Sequence, residues 1–412
     1  MGRFLPKHTD PLFKEAAHRA LEGLGEERDL LKVATRLKRS LEPGLARRCA
    51  ELHELRFRSR SRFIKEVPLF MTASGLSRAS SEAAANARAA HLFSKMPHAW
   101  VSDATCGIGA DSLALARVGA HVISSEIDPF LVACSAANLT LYGHPARVTI
   151  SDCLKPTAKS DALFLDPDRR PGGVRTMNPA EWTPSLSQAM ELAEQHQGAC
   201  LKLAPAMDVD GVKPSSAPYH WQWVSVDRSL VELCLWTGEL SIDQPREALL
   251  IRNGEVLARF SGHPIPCEPI PRTERPDPPY LHDPDPCLVR SRLLGTLAAE
   301  HSLRALHPML ALLVGDSPVI SPFLDAFRVL GSAPLDRRRV RGLLRANNIG
   351  SIEVRKRGHP DRAEVLAKRF KGPGEKRGTL FIARLDEGHR AYLAEPASEP
   401  ASGPASGRGG GR

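Results

Sequence analysis

The sequence predicts an α/β protein in which a largely parallel sheet is covered by helices. A helical region precedes this sheet and a small α+β domain follows it. Three observations carry the prediction. Short β-type runs at 99–103, 121–126, 148–151 and 162–166 alternate with helical stretches at 111–118 and 129–141, the pattern of βαβ units. The first ninety-odd residues carry helix caps and helical stripes. Prolines recur every few residues from Pro264 to Pro286, separating what lies before from what lies after.

In chain order, Asp10-Pro11 reads as an N-cap followed by proline at the first helical position, with Gly25 as a stop. Leu30, Leu31, Val33, Ala34 and Leu37 continue a helical stripe, and Glu42-Pro43 opens a helix through Leu55. After the βαβ alternation, the runs 200–203, 221–226 and 231–236 complete the sheet. The Pro-rich stretch suits neither helix nor central strand, so it reads as an extended linker. Beyond it come helices at 287–300, 321–330 and 335–346, a strand at 351–357, a helix at 361–370 and a strand at 379–385. The expected boundaries are a helical N-terminal region at 1–95, the α/β domain at 96–262, the linker at 263–286, the α+β domain at 287–392 and a tail at 393–412. The tail repeats Pro-Ala-Ser and is too poor in apolar residues to order itself.

The chain has 412 residues, 42% hydrophobic and 25% charged, as a globular protein requires. Aromatic residues contribute 5%, so the core must be built mainly from Leu, Val and Ala. No apolar run approaches the ~18 residues that span a bilayer, and the N-terminus lacks the apolar segment of a signal peptide. The formal net charge of +9 favours a polyanionic partner. The eight cysteines are scattered, with no C-x-x-C pair, and read as buried reduced thiols of a cytoplasmic protein. His53, His91, His98 and His307 show no ligand spacing, so no metal is expected.

The most informative segment is Asp103-Ala-Thr-Cys-Gly107-Ile-Gly109-Ala-Asp111-Ser112. Its glycines fall in a strand-to-helix turn, where backbone can approach a ligand and a helix N-terminus offers free N–H groups. A dinucleotide site wants a third glycine three positions after Gly109; Ser112 stands there, which disfavours a pyrophosphate cofactor. Glu126, ending the next strand, fits the two hydroxyls of a ribose. Asp152, after the third strand, is placed for an adenine edge, and Asp103 for an ammonium group. Ribose, adenine and ammonium together describe S-adenosylmethionine better than NAD. The plainer alternative makes Glu126 and Asp152 solvated loop-end carboxylates. A second segment, Phe164-Leu-Asp166-Pro167-Asp168-Arg169-Arg170-Pro-Gly-Gly, ends the fourth strand. The Asp166 carboxylate and a carbonyl unused by the sheet can accept from an amino group and orient its lone pair at a methyl donor. Arg169 and Arg170 can bind a phosphate or carboxylate of the substrate, or form an ordinary surface pair.

The glycine segment resembles the first motif of class I S-adenosylmethionine-dependent methyltransferases. More narrowly, the chain resembles a bacterial group of these with a C-terminal THUMP-like domain. Ala79-Ser80-Ser81-Glu82, Asp166-Pro167-Asp168-Arg169-Arg170, Tyr280-Leu-His-Asp-Pro-Asp-Pro286 and Arg355-Lys356-Arg357-Gly358 carry that resemblance, in that group's order. It covers roughly 77–385 and implies a Rossmann-like catalytic domain, S-adenosylmethionine as cofactor, and cofactor contacts from Asp103, Gly107, Gly109, Asp111, Glu126 and Asp152. The chain departs from the group at Arg78, where Gln is usual. It also lacks the second proline and aromatic of the common Asp-Pro-Pro-Tyr amine-methylation motif, so no ring there stacks a flipped base.

Arg56, Arg58, Arg60, Arg62 and Lys65 spread around a helix and read as a solvated face. Arg337, Arg338, Arg339, Arg341 and Arg345, followed by Arg355, Lys356, Arg357, Lys368, Arg369 and Lys371, crowd one small domain and read as a phosphate-backbone surface. THUMP-like domains are similar to modules that bind structured RNA. The expectation is a methyltransferase acting on RNA, at a base nitrogen. Asp166 and Pro167 would be catalytic, and Arg169, Arg170, Arg337, Arg338, Arg339 and Arg357 would hold the substrate. The alternatives are a non-catalytic cofactor- or RNA-binding protein and a methyltransferase of small metabolites.

Overall fold

A computed structural model describes residues 10–60, 62–63, 69–145, 147–155, 159–214, 218–275 and 277–397. The chain divides into two compact units, Met1–Pro245 with Ile251–Val256 and Arg246–Leu250 with Leu257–Arg412. In the first unit, a 3-10 turn capped by Asp10 leads into helices α1 (Glu15–Glu22), α2 (Leu30–Ser40), α3 (Pro43–Ser59), α4 (Ala73–Arg78) and α5 (Glu82–Lys95). Asp29 caps α2 by accepting from the Leu31 and Lys32 N–H groups. Only Val33 and Leu37 of the expected stripe are buried; Leu30 and Leu31 face outward. Helix α3 runs past Leu55 because Arg56 is drawn inward, its Nε donating to the Leu69 carbonyl at 3.1 Å.

The α/β part follows as β1 (Trp100–Asp103), α6 (Ala110–Arg117), β2 (His121–Glu126), α7 (Pro129–Leu141), β3 (Val148–Ile150), β4 (Ala162–Leu165), α8 (Leu186–Ala193), β5 (Gly198–Leu203), β6 (Tyr219–Val226) and β7 (Ser229–Gly238). The strand order is β3-β2-β1-β4-β5-β7-β6. The first five strands are parallel; β7 pairs antiparallel with β5, and β6 antiparallel with β7. All four residues of β4 and all six of β5 are buried, as strands covered on both faces must be. The N-terminal helices share a core with α6 and α7: Leu12, Phe13, Leu52 and Phe70 pack with Ile108, Leu113 and Ala133. Buried Asn138 of α7 ties the N-terminal chain to the glycine segment, donating to the Phe70 and Ile108 carbonyls and accepting from the Phe70 N–H.

Strands β8 (Arg246–Arg252) and β9 (Glu255–Gly262) lie where the chain passes between the units. The second unit continues with β10 (Tyr280–Pro284), α9 (Pro286–Arg290), α10 (Leu294–Glu300), β11 (Arg304–Ala305), β12 (Leu313–Gly315), β13 (Leu324–Pro334), α11 (Arg337–Ala346), β14 (Ile349–Arg357), α12 (Ala363–Arg369), β15 (Lys376–Leu385) and β16 (Gly388–Pro396). Its sheet runs β11-β12-β10-β13-β16-β15-β14.

The structure departs from three expectations. The end of the Pro-rich stretch is an interior strand, because Pro279 and Pro284 bracket a proline-free Tyr280–Asp283 that pairs on both sides. The helix expected at 321–330 is strand β13. Leu324 and Phe327, three apart, fit a helical period, and pairing with β10 and β16 overrides it. Residues 393–396 of the expected tail finish β16, while 398–412 lie outside the described residues.

Candidate active site

The parallel strands of the first unit deliver the chemistry-bearing residues to their carboxyl ends, where ligands of open α/β sheets bind. Asp103 ends β1 and is fully buried, with its Oδ2 accepting the Ser112 hydroxyl at 2.5 Å. No well-formed hydrogen bond reaches its buried Oδ1. Burial, reinforced by the negative charge of Asp111, pushes the Asp103 carboxyl up to about 8. The loop after it is stitched to both neighbouring strands. The Ala104 N–H donates to the Phe164 carbonyl, the Cys106 N–H to the Ser125 carbonyl, and the Asp166 N–H to the Thr105 hydroxyl.

The two glycines of the loop are needed for different reasons. Gly109 (φ +84°) lies so close to α7 that a Cβ would come within 2.5 Å of the Ser135 hydroxyl. Gly107 (φ +53°) faces open space, so backbone conformation alone excludes a side chain there and leaves room for a ligand. The Gly107 N–H donates to Glu126 Oε2 at 3.1 Å, and Glu126 Oε1 accepts from the Ile127 and Asp128 N–H groups. Asp152 follows β3 with its Oδ1 accepting from the Leu154 N–H. Cys106 is buried, and burial raises its thiol well above the ordinary range, which makes it a packing residue.

Asp111 has a different setting from the other acids. Its carboxylate is locked by the buried Arg88 guanidinium of α5 and by the Ser80 hydroxyl at 2.8 Å. Burial alone would raise its carboxyl, but Arg88 and Lys202 outweigh that and lower it. Arg88 also pairs with buried Glu232 of β7 and donates to Ser80. Ser81 caps α5, and Glu82 pairs with Arg117, so the Ser-Ser-Glu segment buttresses the glycine loop.

Asp166, expected as a free acceptor, meets Lys202 of β5, whose Nζ donates to Asp166 Oδ2 at 2.5 Å. Lys202 is 8% exposed; burial would lower its ammonium, yet Asp166 and Asp111 raise it. Lys202, Arg88 and Glu232 were not singled out from the sequence. Their signal is a lone charge within an apolar run, as in Cys200-Leu-Lys202-Leu and Val231-Glu232-Leu. Downstream of Asp166, Asp168 pairs with Arg78 at 3.1 Å, which gives the unusual Arg78 a local partner. Arg169 is half-buried, and burial lowers its guanidinium. Arg170 reaches toward the Ser77 hydroxyl at the surface.

In the second unit the basic residues separate into two sets. Arg337, Arg338, Arg339, Arg341 and Arg345 of α11 are exposed, as are Lys368, Arg369 and Lys371. Arg355 and Arg357 instead turn inward onto buried Asp283 of β10. Arg355 also pairs with Asp325, and Arg357 donates to the Ala311 carbonyl. The Asp-Pro-Asp-Pro and Lys-Arg-Gly segments are thus two halves of one structural lock. Among the basic residues of 56–65, Arg60 pairs with Glu26 and Arg62 donates to the Leu76 carbonyl, so these are internal ties; Lys65 lies outside the described residues.

Residues 324–396 match the family described as THUMP domain-like. The chain is 29% identical over 333 residues to an uncharacterized S-adenosylmethionine-dependent methyltransferase of Mycobacterium tuberculosis, found in two strains. The alignment covers 79% of this chain and 88% of the relative. A crystal structure assigned to a methyltransferase of Porphyromonas gingivalis W83 superposes with a TM-score of 0.69 at 21% identity, covering 90% of this chain and 99% of that one. Strand order, glycine loop and these relatives together define a class I S-adenosylmethionine-dependent methyltransferase. The particular protein is the form of that enzyme that carries a THUMP-like domain at its C-terminal end.

The residues present fit the cofactor. Gly107 leaves space, Glu126 ends β2 as a carboxylate able to accept from hydroxyls, and the unpartnered Asp103 Oδ1 is a buried acceptor that an ammonium would satisfy. Among the described residues no helix is long and apolar enough to cross a membrane, and no cluster of His, Cys, Asp or Glu could hold a metal.

Proposed function

We propose that this methyltransferase acts on RNA in the cytoplasm, gripping phosphates with its C-terminal domain and holding the acceptor nucleotide beside Asp166 and Pro167. The observation that carries the reading is the arginine row of α11, which is exposed and belongs to a THUMP-like domain. In this reading Gly107 and Gly109 let the backbone lie against S-adenosylmethionine, Glu126 accepts from its ribose, Asp152 meets its adenine and Asp103 its ammonium. The bound sulfonium supplies an already activated methyl group, so the protein's own contribution is orientation of the acceptor. Arg169 and Arg170 border that place and suit a phosphate flanking the target. An exocyclic base amino group, the nitrogen that the Asp-Pro segment suits, needs acceptors only, and the Lys202 ammonium on Asp166 is a donor; a hydroxyl oxygen is the better partner for the pair.

The test is transfer of tritiated methyl groups to total RNA from a strain lacking the gene. Asp166→Ala should lower turnover by two to four orders of magnitude, roughly 3–5 kcal/mol in the barrier, with little change in cofactor affinity. Equal transfer by both proteins would remove Asp166 from the mechanism. Transfer to small metabolites and not to RNA would favour the metabolite reading.

A further inference from the structure

We propose that the methyl acceptor is a ribose 2′-hydroxyl of the RNA, held by Lys202 and Asp166 acting as a matched donor and acceptor. The inference rests on the RNA reading and deepens it. Lys202 stands in the buried strand β5 between Leu201 and Leu203, and its Nζ reaches Asp166 Oδ2 at 2.5 Å. A buried ion pair gains little stability over apolar side chains of similar volume, so fold stability alone gives no reason for a lysine in this strand.

Counting donors and acceptors identifies the group that such a pair would hold. Asp166 Oδ1 has no hydrogen-bond partner among the described residues, and Lys202 carries further N–H groups beyond the one it gives to Oδ2. The site therefore offers one acceptor and one donor side by side. An exocyclic amino group of a base has two N–H donors and a delocalised lone pair, so it needs two acceptors and has no use for an ammonium. A hydroxyl has one hydrogen and two lone pairs. It can donate to Asp166 Oδ1 and accept from Lys202, leaving its second lone pair for the methyl carbon. The Asp168-Arg169 that follows Pro167, in place of a proline and an aromatic, also suits a target that is not stacked on a ring.

The accompanying proton transfer has a defined acceptor. Three cations, Arg88, Lys202 and Arg169, balance three carboxylates, Asp111, Glu232 and Asp166, and of these carboxylates Asp166 is the one beside the hydroxyl. The hydroxyl oxygen forms the new O–CH3 bond while the S–CH3 bond breaks and leaves its electron pair on sulfur. The hydroxyl proton passes to the Asp166 carboxylate. Products are the methyl ether, the thioether and a protonated Asp166, whose side chain is 24% exposed and can return the proton to water. Lys202 stays an ammonium throughout and steadies the negative charge that builds on the oxygen.

Alkaline digestion of RNA labelled by the wild-type protein tests this directly, because a methylated 2′-oxygen cannot cleave the adjoining phosphodiester. The expected result is tritium in alkali-resistant dinucleotides. Tritium in base-methylated mononucleotides would overturn the inference and leave the RNA reading standing, whereas no tritium in RNA would overturn both. Lys202→Met should lower transfer at least 100-fold, and Lys202→Arg, which keeps a donor, should recover part of it. Calorimetry should give unchanged cofactor affinity for both variants, which separates loss of chemistry from loss of fold. Wild-type transfer by Lys202→Met would also overturn the inference.

Discussion

At the scale of single residues, Glu126 and Asp103 make opposite demands on the fold. Glu126 is a half-exposed carboxylate that accepts from the Gly107 N–H, so it shapes the loop beside which the proposed ribose contact would lie. Hydrogen bonds to a charged acceptor are worth about 1.5–3 kcal/mol each. Glu126→Ala should therefore weaken S-adenosylmethionine binding by about 3 kcal/mol or more, on the order of 100-fold, when titrated calorimetrically. Unchanged affinity would take Glu126 out of the ribose site. Asp103 is buried with one orphan oxygen, and its carboxyl lies at about 8 against an ordinary 3.8. Between those values the folded protein keeps a proton that the unfolded chain has lost. Stability contributed by this group is thus intact below about pH 4 and falls as pH rises toward 8, by at most about 1.4 kcal/mol per pH unit. Asp103→Asn should melt higher than wild type at pH 8, with the difference closing toward pH 4. Identical melting at pH 8 would mean that Asp103 ionises in the fold without cost.

Among the elements, α11 shows most clearly a surface not made for stability. Asp336 caps it by accepting from the Arg338 and Arg339 N–H groups, and Val340 and Leu344, four apart, are its buried stripe. Three arginines in its first turn oppose the helix dipole, each at a cost of ~0.3–1 kcal/mol. Replacing Arg337, Arg338 and Arg339 with Ala should leave the melting temperature unchanged or slightly higher. The same variant should bind RNA with a log–log salt slope flatter by about 0.7 for each single-strand phosphate that it no longer neutralises. A slope identical to wild type would remove this turn from the RNA surface. β5 shows the converse: its six residues are all buried, yet one is a lysine, so its composition answers to Asp166 and not to packing.

For the whole molecule, local pattern was enough to reveal the order of helices and parallel strands in the first unit. Each βαβ step there is a short apolar run followed by a longer helical one, with helix starts marked by caps such as Asp128-Pro129. The glycine loop, Glu126 and Asp166 were readable for the same reason, since they sit at strand ends that the pattern marks. The second unit was harder. Strands β10, β13 and β16 take their identity from partners tens of residues away, and a short run such as Leu324–Phe327 fits a helical period until those partners are in place. Charge was least readable of all. Arg337 and Arg357 look alike in sequence, but one is exposed on a helix and the other is consumed by Asp283, 74 residues distant. The sequence by itself determined the class of fold, the glycine loop and the acids at the strand ends, because these depend on apolar patterning, turn chemistry and spacing within one βα unit. Only the tertiary structure decided that Asp111 belongs to Arg88, that Arg355 and Arg357 lock onto Asp283, and that Lys202 meets Asp166, because an ion pair between residues distant in sequence forms only where folding brings their side chains together.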